Sequence, residues 1–454
     1  MQPISMDPSP CAGTLPRRAF LRTGLTGLST LGLADLLRLD ARAGGGQPAG
    51  GPSMIVIWLW GGPSHLETFD PKPEAPAEYR GAQAAIATNV PGIWITDRLP
   101  LLSRIADKYC LIRSVAHDSP GHVNATHTTL TGYPGELIEA PPYTPKYPDF
   151  FTVAHKVLPT RRPGLPQYVG LPQLRYTGGA HLGRSYGPFS VAGDPNAARF
   201  AVPNINLDGA ARRRLAGRVG LLAAFDRMRS DVDRSGLRQA LDDFQGQALD
   251  LLTGTVVRQA FDLAREDPRL RDRYGRTTLG QRCLLARRLV EAGVRLVTVD
   301  FPAVPGQKAF SWDDHASVWN IFEQMAIRLP VLDQAISALI EDVAARGLDQ
   351  RTLIVLMGEM GRTPRLSNYK GQPGREHWPS AMSVLMAGGG MPMGQVIGAT
   401  TRKGEEPRER RLHPADVLAT WYKFLGIDHT IAFADHAGRP IGILPQGEPI
   451  RELI

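Results

Sequence analysis

Residues 54–63 read Met-Ile-Val-Ile-Trp-Leu-Trp-Gly-Gly-Pro. Seven apolar side chains follow one another without polar alternation, and two glycines and a proline stop the run. A strand with one wet face alternates; an unbroken apolar run of this length, bounded by glycine, predicts a strand buried on both faces. Outward from it, comparable apolar runs recur at 109–115, at 294–300, at 352–357 before Gly358, and at 383–387 before Gly388-Gly389-Gly390. Between them lie helical patterns. One covers 98–108, with Asp97 as its cap and Leu99, Leu102, Ile105 and Ala106 at helical spacing. Another covers 122–131 and stops at Gly132-Tyr133-Pro134. Residues 207–292 are mostly helical, and the amphipathic stretch 281–292 stops at Gly293. Helix is expected over 316–346, broken or restarted at Pro330, and over 414–425 with Pro414 opening it. Buried strands alternating with amphipathic helices predict an α/β fold, a three-layer α/β/α sandwich around a mostly parallel central sheet. Residues 135–205 are rich in Pro, Gly and aromatics and read as excursions over the active face. With the helical tract they make 135–290 a loop-rich and largely helical insertion in a domain running from 54 to 454.

The chain has 454 residues, 43% hydrophobic and 21% charged, which is ordinary globular composition with enough apolar material for a substantial core. Its N-terminus reads as an address. Arg17-Arg18-Ala19-Phe20-Leu21-Arg22 is a twin-arginine pattern, residues 24–37 form a weakly apolar stretch, and Ala41-Arg42-Ala43 places small residues two apart. Residues 1–43 are therefore expected to be a removable Tat signal, and 44–53 a Gly/Pro linker. The expected location is periplasmic or extracellular, with the Tat translocase as an export partner. The alternative is a tail with a chance arginine pair. No run approaches the roughly 18 apolar residues of a membrane span. Residues 1–43 carry five Arg and three Asp, which leaves a net charge of +6 on the rest. Its densest basic runs are Arg212-Arg213-Arg214 and 402–411, the latter interleaved with Glu. A solvated face is expected there, and no nucleic-acid partner. Three cysteines exclude a disulfide scaffold and a four-cysteine zinc site. Cys110 and Cys283 fall in apolar elements, either as one disulfide or as two buried thiols.

In parallel sheets the ligand site lies beyond the C-terminal strand ends. Those segments hold Ser64, His65, Glu67 and Asp70; His117, Asp118, His122, Asn124 and His127; Asp300, Asp313, Asp314 and His315; Glu359 and Arg362; and Arg375, Glu376 and His377. Imidazoles and carboxylates drawn from several loops are the usual composition of a hydrolytic divalent-metal site. Bland readings stand beside this. His65 serves equally as a loop hydrogen-bonder, and Asp70-Pro71 is a natural turn. His122 and His127 sit about 140° apart around a helix, so at most one belongs to the site. Asp300 serves equally as a strand-end cap, and Asp314-His315 as a helix opening. Glu359 directly after a buried strand needs a partner, either Arg362 or a metal. Gly61-Gly62-Pro63-Ser64 can bring backbone N–H groups toward an anion, or is simply a turn.

The segments GGPSHLETFDPKP (61–73), AFDLAREDPRLRDRYGRTTLGQRCLLARRLVEAGVRLV (260–297), WDDH (312–315), GLDQRTLIVLMGEMGRTP (347–364) and GREHWP (374–379) closely resemble the domain of unknown function 1501 family of exported bacterial proteins. A more distant resemblance is to sulfatases. It is carried by LPLLSRIADKYCLIRSV and LTGYP within 99–134, GLDQRTLIVLMGEMG (347–361) and PADVLATWYKFLGI (414–427). It implies the alkaline-phosphatase-like superfamily, whose strand ends hold one or two divalent metals and whose members hydrolyse or transfer phosphate and sulfate esters. The departures matter. The acidic pair expected after the first strand is Gly61-Gly62, so His65 or Asp70 would have to replace it. The nucleophile position falls on His122, and no Cys-x-Pro-x-Arg or Ser-x-Pro-x-Arg is present, which argues against a formylglycine sulfatase. The Asp-His pair is Glu359-Met360. His315 resembles the His of an Asp-x-x-x-His motif, with shorter spacing to Asp313, and His377 the late single His ligand. The resemblance thus implies one metal, or an altered pair.

The expectation is an exported hydrolase of phosphate or sulfate esters, its substrate a small anionic ester or a sulfated or phosphorylated glycan. A divalent ion (Zn, Ca, Mn or Mg) would be held by Asp313, His315, Glu359 and His377, with Asp70 a further candidate. Arg362 would neutralise the transferred group. His65 or His122 would act as general acid/base, or His122 as nucleophile. One rival is a non-catalytic exported binding protein on a degenerate sandwich. A third reading is acid–base catalysis by the same residues without metal.

Overall fold

The apolar runs become a single eight-stranded sheet. Its strands are β1 (Ser53–Trp58), β2 (Tyr109–Val115), β3 (Tyr168–Leu171), β4 (Phe189–Ser190), β5 (Leu296–Asp300), β6 (Thr352–Met357), β7 (Met382–Gly388) and β8 (Gln395–Ile397). The spatial order is β8-β2-β7-β6-β1-β5-β3-β4. Every neighbouring pair is parallel except those of β7, which runs against both β2 and β6. The computed structural model describes residues 51–454 apart from 139, 163, 203–254, 310 and 318. The expected signal, most of the linker, Arg212-Arg213-Arg214 and residues 207–254 of the helical tract lie outside the described residues.

The period-two geometry of a strand sends β1 side chains into two separate cores. Ile55, Ile57 and Leu59 pack on one face with α3 (Thr278–Ala292) and α4 (Ile321–Ala345). Met54, Val56 and Trp58 pack on the other with α2 (Phe150–Val157) and α5 (Pro414–Leu425). β6 divides in the same way, with Ile354 and Leu356 on the first face and Leu353, Val355 and Met357 on the second. The result is an α/β/α sandwich with both sheet faces covered, which is why its strands read as continuous apolar runs. Cys110 and Cys283 are free, buried and in opposite cores. Among the described residues, no helix is long and apolar enough to cross a membrane.

Three local expectations are corrected. The helix expected over 98–108 is a single turn, Pro100–Ser103, then a 3-10 turn at Ala106–Lys108, and Asp97 does not cap it. Its free N–H groups are capped from afar, because Asp333 of α4 accepts from Leu101 and Leu102 at 2.8 Å each. The helix expected to break at Pro330 runs unbroken from Ile321, capped by Asn320. Leu329 and Leu332, on either side of the proline, are fully buried, and that packing outweighs the roughly 3 kcal/mol cost of an interior proline. Residues 135–205 are not only excursions: β3 lies inside the sheet beside β5, β4 continues it, and α2 is core.

Candidate metal centre

The parallel strands deliver their C-terminal ends to one edge. From β1 the chain passes through Trp60 to Gly61 and Gly62, with φ of +107° and +77°. At Gly61 an added Cβ would lie 2.5–2.8 Å from Ser311 Oγ and the backbone nitrogens of Trp312 and Asp313; at Gly62 it would meet Met360 at 2.7 Å. Both the backbone twist and the close approach require glycine. The Gly61 N–H does find an anion, the carboxylate Oε1 of Glu359, at 2.7 Å.

Beyond β2, Gly121 opens α1 (His122–Thr131), placing His122 in its first turn. Beyond β5, the WDDH segment is pinned by the Trp312 N–H to Trp60 O at 3.0 Å. Its side chains divide by function. Trp312 and Asp314 are fully buried, and Asp314 pairs with buried Arg328, whose guanidinium also covers the Trp312 ring. Asp313 and His315 stay partly exposed. Beyond β6, Gly361–Arg362 pairs antiparallel with His377–Trp378, bringing His377 opposite Arg362.

These segments meet at Asp313 Oδ1. His122 Nε2 lies 3.3 Å from it, His315 Nε2 2.9 Å and His377 Nε2 3.2 Å, and the last two nitrogens are 3.0 Å apart. Each ring's other nitrogen has an acceptor. His122 Nδ1 faces Glu359 Oε1 at 2.8 Å, His377 Nδ1 faces Pro120 O at 2.7 Å, and His315 Nδ1 faces the Glu376 carboxylate. With the proton on each Nδ1, all three Nε2 lone pairs point inward, the second-sphere arrangement typical of metal-binding histidines. Donors about 2.0–2.1 Å from one tetrahedral ion stand roughly 3.3–3.5 Å apart, and the observed separations lie just inside that. Glu359 Oε2 is buried without a hydrogen-bond partner. The donor set therefore fits a divalent ion: His122, Asp313 and His377 place their ligand atoms within 4.8 Å of one another, and His315 Nε2 adjoins Asp313 and His377.

The charges agree. Burial disfavours a charged His122, but hydrogen bonds to Asp313 and Glu359 overcome it and push its pKa up to about 9. Burial likewise opposes the Asp313 charge, and the three histidines with Arg362 outweigh it and hold the carboxyl far below the usual range. His315 is raised by Asp313, against partial burial and with help from Glu376.

Of the residues expected from sequence, His122, Asp313, His315, Glu359, Arg362 and His377 come together. Glu359 grips His122 and Gly61 through Oε1, behind the imidazole. Arg362 is fully buried, its guanidinium engaging the carbonyls of Gly61, Gly62 and Arg375 and the Asp313 carboxylate. It clamps the loops, and the expectation that it meets a transferred group gives way to that role. His65 is buried with Nε2 on Gly404 O at 2.8 Å, and burial lowers its pKa. Asp70 is buried against Lys72 at 2.9 Å, Arg113 at 3.5 Å and the Thr400 hydroxyl. These hydrogen bonds and ion pairs tie His65 and Asp70 to residues outside the cluster. His127 turns away to Tyr133 O and Tyr147 N. Sequence reasoning overlooked Glu376 as the partner of His315, although its adjacency to His377 was a signal, and Trp60, whose ring stacks on His122 at 5.2 Å.

Asp70 offers a stability test. Burial raises its pKa, but Arg113 and Lys72 win and lower it below its ordinary 3.8. A carboxyl with a lowered folded pKa stabilises above its unfolded pKa, and that contribution fades as pH falls through the folded value. Asp70→Asn should cost on the order of 2 kcal/mol at pH 7. It should also flatten the loss of stability below pH 3.8, read by urea unfolding at both pH values. Equal acid sensitivity in both proteins would contradict this.

The chain belongs to the family described as protein of unknown function (DUF1501), whose model matches residues 52–454. No curated protein matches it. Similar solved structures include the PsFucS1 sulfatase from Pseudoalteromonas sp., at 12% identity over 91% of this chain and 72% of that one, TM-score 0.38. A putative sulfatase from Bacteroides thetaiotaomicron gives 10%, 84%, 72% and 0.38, and a phosphonate monoester hydrolase of Agrobacterium radiobacter 12%, 83%, 74% and 0.34. The architecture itself rests on strand order and register.

Proposed function

We propose that this chain is an exported, divalent-metal-dependent hydrolase of phosphate or sulfate esters. The observation that carries the reading is the convergence of three imidazole Nε2 atoms on Asp313 Oδ1, each ring held from behind through Nδ1. His122, His315, His377 and Asp313 would hold the ion. Three imidazoles and one carboxylate suit zinc or another borderline transition metal better than calcium or magnesium, which take oxygen ligands. Such an ion supplies a Lewis acid that polarises an ester oxygen. The protein's own groups do the positioning. Glu359 and Glu376 orient His122 and His315, Arg362 ties Asp313 to the Gly61-Gly62 turn, and the Trp60 ring shields one face of His122 from water. The substrate would be a small anionic ester or a sulfated or phosphorylated glycan. The twin-arginine pattern in residues 1–43 supports export by the Tat route to the periplasm or beyond.

The test is metal analysis of protein purified without chelator, followed by a panel of chromogenic phosphate and sulfate esters. One bound transition metal per chain and metal-dependent hydrolysis of at least one ester are expected. Metal-free protein that leaves every ester intact would instead favour a binding protein.

A further inference from the structure

The parallel strands β5, β1 and β6 begin side by side at the sheet edge opposite the metal centre. An arginine immediately precedes each of the two outer ones, Arg295 before β5 and Arg351 before β6. Their carbonyls accept from Met54 N at 2.7 Å and Ser53 N at 2.8 Å, which fixes both against the start of β1. Arg161, from the loop after α2, joins them by donating to Ser53 Oγ at 3.0 Å and Pro52 O at 2.8 Å. We infer that Arg161 and Arg295 form an anion site at this edge that takes a phosphate group, either free or on a lipid headgroup. The site stands apart from the proposed hydrolase function and does not depend on it.

The two guanidinium groups converge on Gly51. A Cβ built there would lie 3.4 Å from Arg161 Nη2 and 3.7 Å from Arg295 Nη1. Gly51 is exposed and has no side chain to fill the gap, so the notch between the cations is open to an anion from solvent. Nothing in the protein neutralises them. Among the described residues neither arginine has a carboxylate partner, the Arg295 guanidinium makes no hydrogen bond, and the Nε of each is buried without one. Glu291, whose charge is felt at Arg351, is already paired with Arg287 and Arg346.

Burial, and then the charges of Arg295 and Arg351, pull the Arg161 pKa down to about 10, and burial lowers that of Arg295. At neutral pH both are still cations, held half-buried beside each other. Uncompensated charge in such a place costs free energy until a counter-ion pairs with it. A carboxylate has two oxygens, which one guanidinium fork consumes. A phosphate carries enough oxygens to present a separate edge to each of two forks, which suits this pair better.

The experiment titrates inorganic phosphate calorimetrically into full-length wild type, Arg295→Ala and His315→Ala. Wild type and Arg295→Ala are also sedimented with vesicles of phosphatidylglycerol or of phosphatidylcholine. Phosphate held at the metal centre would survive in Arg295→Ala and be lost in His315→Ala; phosphate held by the arginines shows the reverse pattern. Wild type should bind free phosphate if the ligand is soluble, or phosphatidylglycerol but not phosphatidylcholine vesicles if it is a headgroup. Arg295→Ala should weaken that binding at least about tenfold. Gly51 is not among the left-handed glycines, so Gly51→Asp sets a carboxylate into the notch without backbone strain. It should raise the unfolding midpoint and abolish the binding. Wild type that binds neither phosphate nor anionic vesicles overturns the inference, as does binding left undiminished by Arg295→Ala or by Gly51→Asp. None of these results touches the metal reading.

Discussion

If the proposed function holds, His315→Ala should lose metal and ester hydrolysis together, while its unfolding midpoint should stay close to that of metal-free wild type. The side chain is one-third exposed and touches the cluster through both ring nitrogens, so its removal opens no core cavity. Removing a ligand should weaken zinc by well over 100-fold, because the usual effect of losing a mere second-sphere partner is already about 10–100-fold. That comparison supplies the internal control. Glu376→Gln keeps the size of the group behind His315 but removes the carboxylate that fixes its Nδ1 proton, and should fall in the second-sphere range. Competition with a chromophoric zinc chelator reads both variants on one scale. If His315→Ala holds zinc as tightly as wild type, or if Glu376→Gln is the more damaging, the assignment of ligand and partner is wrong.

The strands were legible because burial on both faces leaves an unmistakable apolar run, and glycine marks where each run stops. Direction was not legible: nothing in Met382–Gly388 says that it runs against its neighbours, since a buried strand has the same composition either way. β3 was hidden because Tyr-Val-Gly-Leu is short and sits among prolines and glycines. The strand-end rule pointed to the loops that carry the cluster, and what each residue does there was harder to read. Arg362 looks like an anion receptor until the carbonyls of Gly61 and Gly62 are seen around it. Glu359 looks like a simple ligand, yet its Oε1 is taken by Gly61 N and His122 Nδ1, and Oε2 alone remains without a hydrogen bond. Backbone acceptors and second-sphere partners have no sequence spacing of their own: Arg375 O is 13 residues from Arg362 and Glu376 is 61 from His315, while Glu359 is 237 from His122.

The largest stability effect is expected behind the site, at Arg375. Its guanidinium takes both oxygens of Glu67, at 2.7 and 2.8 Å, and also engages the carbonyls of Thr363, Pro364 and Tyr79. Its own N–H donates to Asp314 O at 2.9 Å, and its carbonyl accepts from Arg362. Both partners of the ion pair are fully buried. Truncating one leaves the other as an uncompensated charge in a low-dielectric interior, so Arg375→Ala should cost about 3–5 kcal/mol. Because Glu376 and His377 follow directly in the chain, zinc affinity should fall as well, although none of these hydrogen bonds reaches a ligand atom. Joint replacement, Glu67→Met with Arg375→Met, removes both charges and should recover much of the loss. The recovery stays incomplete, since the carbonyls of Thr363, Pro364 and Tyr79 remain without their donor. Denaturant unfolding of the two single variants and the double variant yields the coupling energy. A cost below about 1 kcal/mol for Arg375→Ala, or additive single and double effects, would mean that this buried pair does not brace the loops that shape the cluster.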